Sequence, residues 1–100
     1  MSKQAETGIR KEALEEIRVF ARRHRLDKVI LFGSRARGDY GRASDIDLAV
    51  SGGDILNFTL DVKEEVSTLL TFDVVDLGQE LRKEFREAID REGILLYEKV

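Results

Sequence analysis

The sequence predicts an α/β (α+β) domain, a single mixed sheet of four strands with about three helices packed against it. Three observations lead there. Apolar residues recur at helical spacing in three long, charged stretches. Four short runs rich in Val, Ile, Leu and Phe alternate with those stretches, as strands do in a layered sheet-and-helix domain. The chain has 100 residues with no proline, repeat or low-complexity segment, so residues 1–100 form one domain around one core.

From about Gly8 to Arg25, the residues Ile9, Ala13, Leu14, Ile17, Phe20 and Ala21 fall on one helical face. Arg22, Arg23 and Arg25 close this stretch, where the helix dipole favours cations, and are read as a cap. "KVILFG" switches to a strand, the loop Ser34–Ser44 follows, and "DIDLAVS" returns as a second strand. "GGD" breaks the chain and starts a helix from about Ile55 to Leu70, with Leu56, Phe58, Val62, Val66, Leu69 and Leu70 roughly on one side. "TFDVVDL" is a third strand. "GQELRKEFREAIDREG" places Leu81, Phe85, Ala88 and Ile89 at helical spacing and stops at Gly93, a suitable residue to follow a helix. "ILLYE" is the last strand, with Leu95, Leu96 and Tyr97 read as sheet packing.

Composition narrows the function classes. No cysteine is present, which removes disulfides, thiolate nucleophiles and thiolate metal sites. The one histidine, His24, reads as a helix-end polar residue and is assigned no chemistry. A net charge of −3 argues against direct nucleic-acid binding, which needs a basic excess. The polar N-terminus "MSKQAETGIRKEALEE" lacks the apolar core of a signal peptide, and no run reaches membrane-spanning length, so a cytoplasmic protein is expected.

The informative stretch is "VILFGSRARGDYGRASDIDLAV", Val29 to Val50. Residues two apart in a strand share a face, so Asp45 and Asp47 project together. Two carboxylates a few ångströms apart repel by about 3–4 kcal/mol at an effective dielectric near 20. A fold tolerates that when a cation sits between them, and oxygen-only donors select a hard divalent ion, Mg²⁺ or Mn²⁺. Gly33 ends a strand and lets a phosphate approach backbone without a Cβ in the way. Ser34 offers a hydroxyl and the N-cap of a short helix through Arg35 to Arg37, whose free N–H groups would form an anion site. Arg35 and Arg37 can add charged donors. Ser44 is read as fixing the loop through a side-chain bond to backbone, and Tyr40 as lining the site or standing exposed. A third carboxylate would complete a two-metal site. Asp73 and Asp76 are both available, three apart and therefore on opposite faces, and periodicity does not choose between them.

Gly33-Ser34, ten intervening residues and Asp45-Ile46-Asp47 resemble the signature of the DNA polymerase β-type nucleotidyltransferase superfamily. From about Lys11 to Glu98, including the terminal "REGILLYE", the chain is similar to the minimal nucleotidyltransferase (MNT) branch. The resemblance implies a nucleotidyltransferase fold, triphosphate binding at the Gly-Ser segment and two Mg²⁺ ions held by the paired aspartates. By its interval to Leu81–Ile89, it favours Asp73 over Asp76 as the third carboxylate. It further implies transfer of a nucleoside monophosphate, AMP from ATP, to a hydroxyl, with Asp73 helping to deprotonate the acceptor. In that branch the partner is a helical HEPN-type protein in a toxin–antitoxin pair. The competing expectation is a non-catalytic nucleotide-binding module that neutralises its partner by complex formation.

Overall fold

The computed structural model describes residues 7–100; the polar segment 1–6, part of the N-terminus read above for a signal peptide, lies outside the described residues. The elements run α1 (Lys11–Arg23), β1 (Lys28–Phe32), α2 (Ser34–Arg37), β2 (Ile46–Ser51), α3 (Ile55–Glu65), β3 (Phe72–Asp76), α4 (Lys83–Glu92) and β4 (Ile94–Glu98). The expected four strands and three long helices are present, and α2 adds a single turn.

The strands form one sheet in the order β3-β2-β1-β4. The β1–β2 and β1–β4 pairs are antiparallel, while β2 and β3 are parallel, so the sheet is mixed. Its two faces are covered unequally. On one, Val29, Leu31, Ile46, Leu48, Val50 and Phe72 meet α1 and α3 through Ala13, Ile17, Phe20, Phe58 and Val62 to form the main core. On the other, Phe32 and Ala49 meet α4 through Ile89, with Ile30, Val75, Leu77 and Leu81 at the margin. The thin layer is partly sealed by the edge-on contact of Phe85 with Phe32, ring centroids 5.6 Å apart.

Helix α1 ends as its sequence suggests, with Arg22 and Arg23 in the last turn. Arg25 takes a left-handed conformation (φ 58°), and the bonds Arg25 N–H to Arg22 O and Leu26 N–H to Ala21 O complete the cap. His24 pairs with Asp61 of α3 at 2.5 Å, tying the two helices.

Three expectations are corrected. Helix α3 stops at Glu65 rather than near Leu70, leaving Leu69 fully exposed, and Leu56, within the helix, points off the apolar side and is 71% exposed. Ser67 and Thr68 draw the backbone away from the helix: the Ser67 N–H and hydroxyl bond to Glu16, and Thr68 Oγ1 accepts from the Leu70 N–H. Gly93 follows α4 in an extended conformation (φ −69°), not a left-handed one. A side chain there would collide with Ile30 Cγ2, so the glycine permits close approach rather than a change of hand. Leu95 is exposed, while Leu96 is buried and Tyr97 packs against the main core.

Candidate active site

The site is built where β1, β2 and β3 present the thinly covered face at one end of the sheet. Asp47 sits opposite Phe32 of β1 and beside Asp73 of β3 in register. Asp45 lies immediately before β2, and its Oδ1 accepts a bond from the Thr71 hydroxyl, two residues before Asp73. Asp45, Asp47 and Asp73 therefore gather at the same strand ends. Asp76 pairs in register with Val50 of the main-core face, and its Oδ1 accepts from the Gly78 N–H at 2.8 Å. The parallel register thus sets Asp73, not Asp76, beside Asp47.

The chain leaves β1 through Gly33, whose backbone (φ 76°, ψ −158°) lies in a region that only glycine adopts readily. A Cβ at Gly33 would collide with Asp47 Oδ2. The missing side chain is what lets this carboxylate lie against the turn. Ser34 opens α2, with Gly33 rather than Ser34 at the cap, because the Gly33 carbonyl accepts from the Ala36 and Arg37 N–H groups. The first N–H groups of the turn have no partners within the helix, a general property of helix starts.

Burial pushes the Asp47 carboxyl above the ordinary carboxylate range, and the charges of Asp73 and Asp45 push the same way; Arg37 pulls against them. Asp47 therefore carries a cost from burial first and from its neighbouring carboxylates second. Among the described residues, no three Asp, Glu, His or Cys side chains stand close enough to hold a metal by themselves. The donor set nevertheless fits Mg²⁺, which takes one or two protein carboxylates and fills its shell with water and phosphate oxygens.

The two arginines part company. Arg37, on the last turn of α2, is held by Asp39 (Nε–Oδ2, 3.2 Å) and Glu92 (Nη1–Oε1, 3.2 Å). The bond to Asp39, then that to Glu92, holds its guanidinium more firmly protonated than usual. Arg35, expected beside the phosphates, is 2% exposed and gives its guanidinium to backbone carbonyls instead. Its Nε, Nη1 and Nη2 donate to the carbonyls of Ser44, Thr7 and Arg42, and its guanidinium lies 4.7 Å from the Tyr40 ring centroid. It braces the loop that carries Asp45. Ser44 adds a second brace by accepting from the Gly41 N–H at 2.8 Å, as its position before the aspartates suggests. Tyr40, Arg42, Leu69 and Leu70 line a cavity of about 770 Å³, and none of the aspartates lines it.

Thr71 and Glu92 were missed by sequence reasoning. Only the β2–β3 register brings Thr71 to Asp45, and only the packing of α4 brings Glu92 to Arg37.

No helix among the described residues is long and apolar enough to cross a membrane. The chain is 43% identical over 53 residues to a protein of Methanocaldococcus jannaschii named "Putative protein adenylyltransferase". That match covers 53% of this chain and 51% of the relative, about half the relative's length. Among solved structures, a "putative minimal nucleotidyltransferase" superposes with TM-score 0.61 at 30% identity, covering 81% of this chain and 86% of that one. A toxin–antitoxin crystal structure with AMP-PNP shares the fold, with TM-score 0.67 at 24% identity over 86% of this chain and 73% of that one. The family model described as polymerase beta, nucleotidyltransferase matches residues 15–100. With the Gly-Ser turn and the aspartates on adjacent strand ends, the chain belongs to the polymerase β nucleotidyltransferase family.

Proposed function

We propose that the protein is a nucleotidyltransferase that moves AMP from ATP to a hydroxyl on a helical partner protein of HEPN type, and that it works as an antitoxin. The observation that carries this reading is the register that sets Asp47 beside Asp73, with Asp45 at the same end and Gly33 leaving bare backbone against Asp47. The name of the M. jannaschii relative and the toxin–antitoxin assembly of a structural neighbour support the choice of acceptor and context.

In this reading, the N–H groups at the start of α2 and the Ser34 hydroxyl bind the triphosphate, with Arg37 as the charged donor beside them. Asp45 and Asp47 would hold Mg²⁺, with Asp73 as the third oxygen donor. The metal, when bound, stabilises charge that develops on the transferred phosphoryl group and on the leaving pyrophosphate. Thr71 orients Asp45, and Arg35 fixes the loop, so the carboxylates are placed before the substrate arrives. Asp73 lies on the sheet edge and is exposed, where it can accept the proton of an incoming hydroxyl. Docking of the partner holds that hydroxyl in line, which is the main source of rate in such transfers.

The test incubates the protein with Mg–ATP and the product of the neighbouring gene as candidate partner, then weighs that product by mass spectrometry. The expected result is an added AMP group, absent with Asp73→Asn and retained with Asp76→Asn. An unmodified partner that is still silenced by the complex would replace this reading with neutralisation by binding.

A further inference from the structure

We infer that Glu92 is a positioning residue for the nucleotide: with Asp39, it holds the Arg37 guanidinium at the mouth of the aspartate cluster, facing the phosphates of a nucleoside triphosphate. This rests on the nucleotide-binding reading above. Glu92 is the last residue of α4 and lies 55 positions from Arg37, yet its Oε1 stands 3.2 Å from Arg37 Nη1. Asp39, in the loop after α2, takes Nε at 3.2 Å, so a carboxylate from the loop and one from α4 fix the plane of the fork. Among the described residues, Nη2 has no hydrogen-bond partner and remains available to a ligand oxygen.

Stability does not explain this arrangement. The side chains of Arg37 and Glu92 are 42% and 25% exposed, and exposed ion pairs add little to a fold. A carboxylate at a helix C-terminus also opposes the helix dipole. Glu92 also stands 3.7 Å from Arg91 of its own helix, a longer contact than its 3.2 Å to Arg37, so its place serves Arg37 more than α4. The chain secures that position locally: Gly93 presses against Ile30 with no room for a side chain, which seats the end of α4 on β1.

The geometry also keeps Arg37 off the carboxylates. Its charge acts on Asp47, but it forms no ion pair with Asp45, Asp47 or Asp73. A guanidinium released by Glu92 would have the aspartates as nearby anions, and would cover oxygens that the substrate's cation needs. Held at Nε and Nη1, it faces phosphate instead.

A double-mutant cycle tests this, using calorimetric titration of Mg–ATP into the wild type, Glu92→Gln, Arg37→Ala and the double variant. Glu92→Gln should weaken Mg–ATP binding by about five-fold, the upper end for an exposed pair, with the apo melting temperature unchanged. In the Arg37→Ala background, the same substitution should have no effect. Glu92→Asp, which keeps the charge, should recover part of the loss. Equal losses in both backgrounds, or no loss in either, would overturn the inference while leaving nucleotide binding intact. If the wild type itself does not bind Mg–ATP, the nucleotide-binding reading falls, and the role of Glu92 falls with it.

Discussion

Substituting Gly33→Ala tests two parts of the site at once. The backbone there, φ 76° and ψ −158°, lies in a region that costs a residue with a side chain about 1–3 kcal/mol. For a chain of this size, each 1 kcal/mol moves the melting temperature by about 4–8 °C, so the apo protein should melt about 5–20 °C lower. The second effect is local. The new Cβ would meet Asp47 Oδ2, with Asp47 Cγ only 3.2 Å away, so the carboxylate must swing off the turn. Thermal unfolding with and without Mg–ATP reads both effects. Saturating nucleotide at a hundred times its Kd should stabilise the wild type by about 2.7 kcal/mol, and the variant should lose most of that gain. Gly33→Ala combined with Asp47→Ala separates the two, because it removes the collision and keeps the backbone cost. Because Asp47→Ala alone relieves a partly buried charge, the double variant is compared with that single variant and should melt below it by the backbone cost. A Gly33→Ala protein melting within about 2 °C of wild type, with its full nucleotide shift, would refute the argument. A double variant that melts at the same temperature as the Asp47→Ala single variant would show that collision alone was at work.

The Asp47 carboxyl is held above its unfolded value of 3.8, so its ionisation costs the folded state stability as pH rises through that interval. Asp47→Asn should therefore stabilise the apo protein at neutral pH, and the gain should vanish below the unfolded value; urea unfolding at pH 7 and pH 3.5 checks the sign. Arg35→Ala should destabilise by about 2–4 kcal/mol, because it strands three carbonyls beneath the loop and leaves a void. Arg35→Lys should restore little of this, since an ammonium cannot span the same fork; a urea midpoint within error of wild type for either variant would contradict the bracing role.

How much of this was legible in the sequence depended on whether the signal was local. Gly33, Ser34, Asp45 and Asp47 could be read from one loop and two strand ends, where residue type and spacing are the chemistry. The choice between Asp73 and Asp76 needed the parallel register against β2, which no single strand encodes. Arg35 looked like a ligand residue because its burial depends on carbonyls from Thr7, Arg42 and Ser44, and a carbonyl carries no sequence signature. The overlong α3 had a similar cause. Leu69 and Leu70 continue the apolar rhythm, but the bonds made by Ser67 and Thr68 end the helix first.

The strand order leaves β3 with a neighbour on one side only. A five-residue edge with open N–H and C=O groups is a template on which another copy of the chain could pair. Here the strand carries Asp73 and Asp76, which point to opposite faces. A second copy approaching edge to edge would set carboxylate near carboxylate on both sides of the extended sheet, and would be repelled. The opposite edge has its own guard, since Arg18 reaches from α1 to occupy the Leu96 carbonyl of β4 at 2.8 Å. The acid proposed to serve chemistry thus also protects solubility. Neutralising Asp73 removes a charge from the rim that keeps the molecules apart, and the loss would be felt most in concentrated solution.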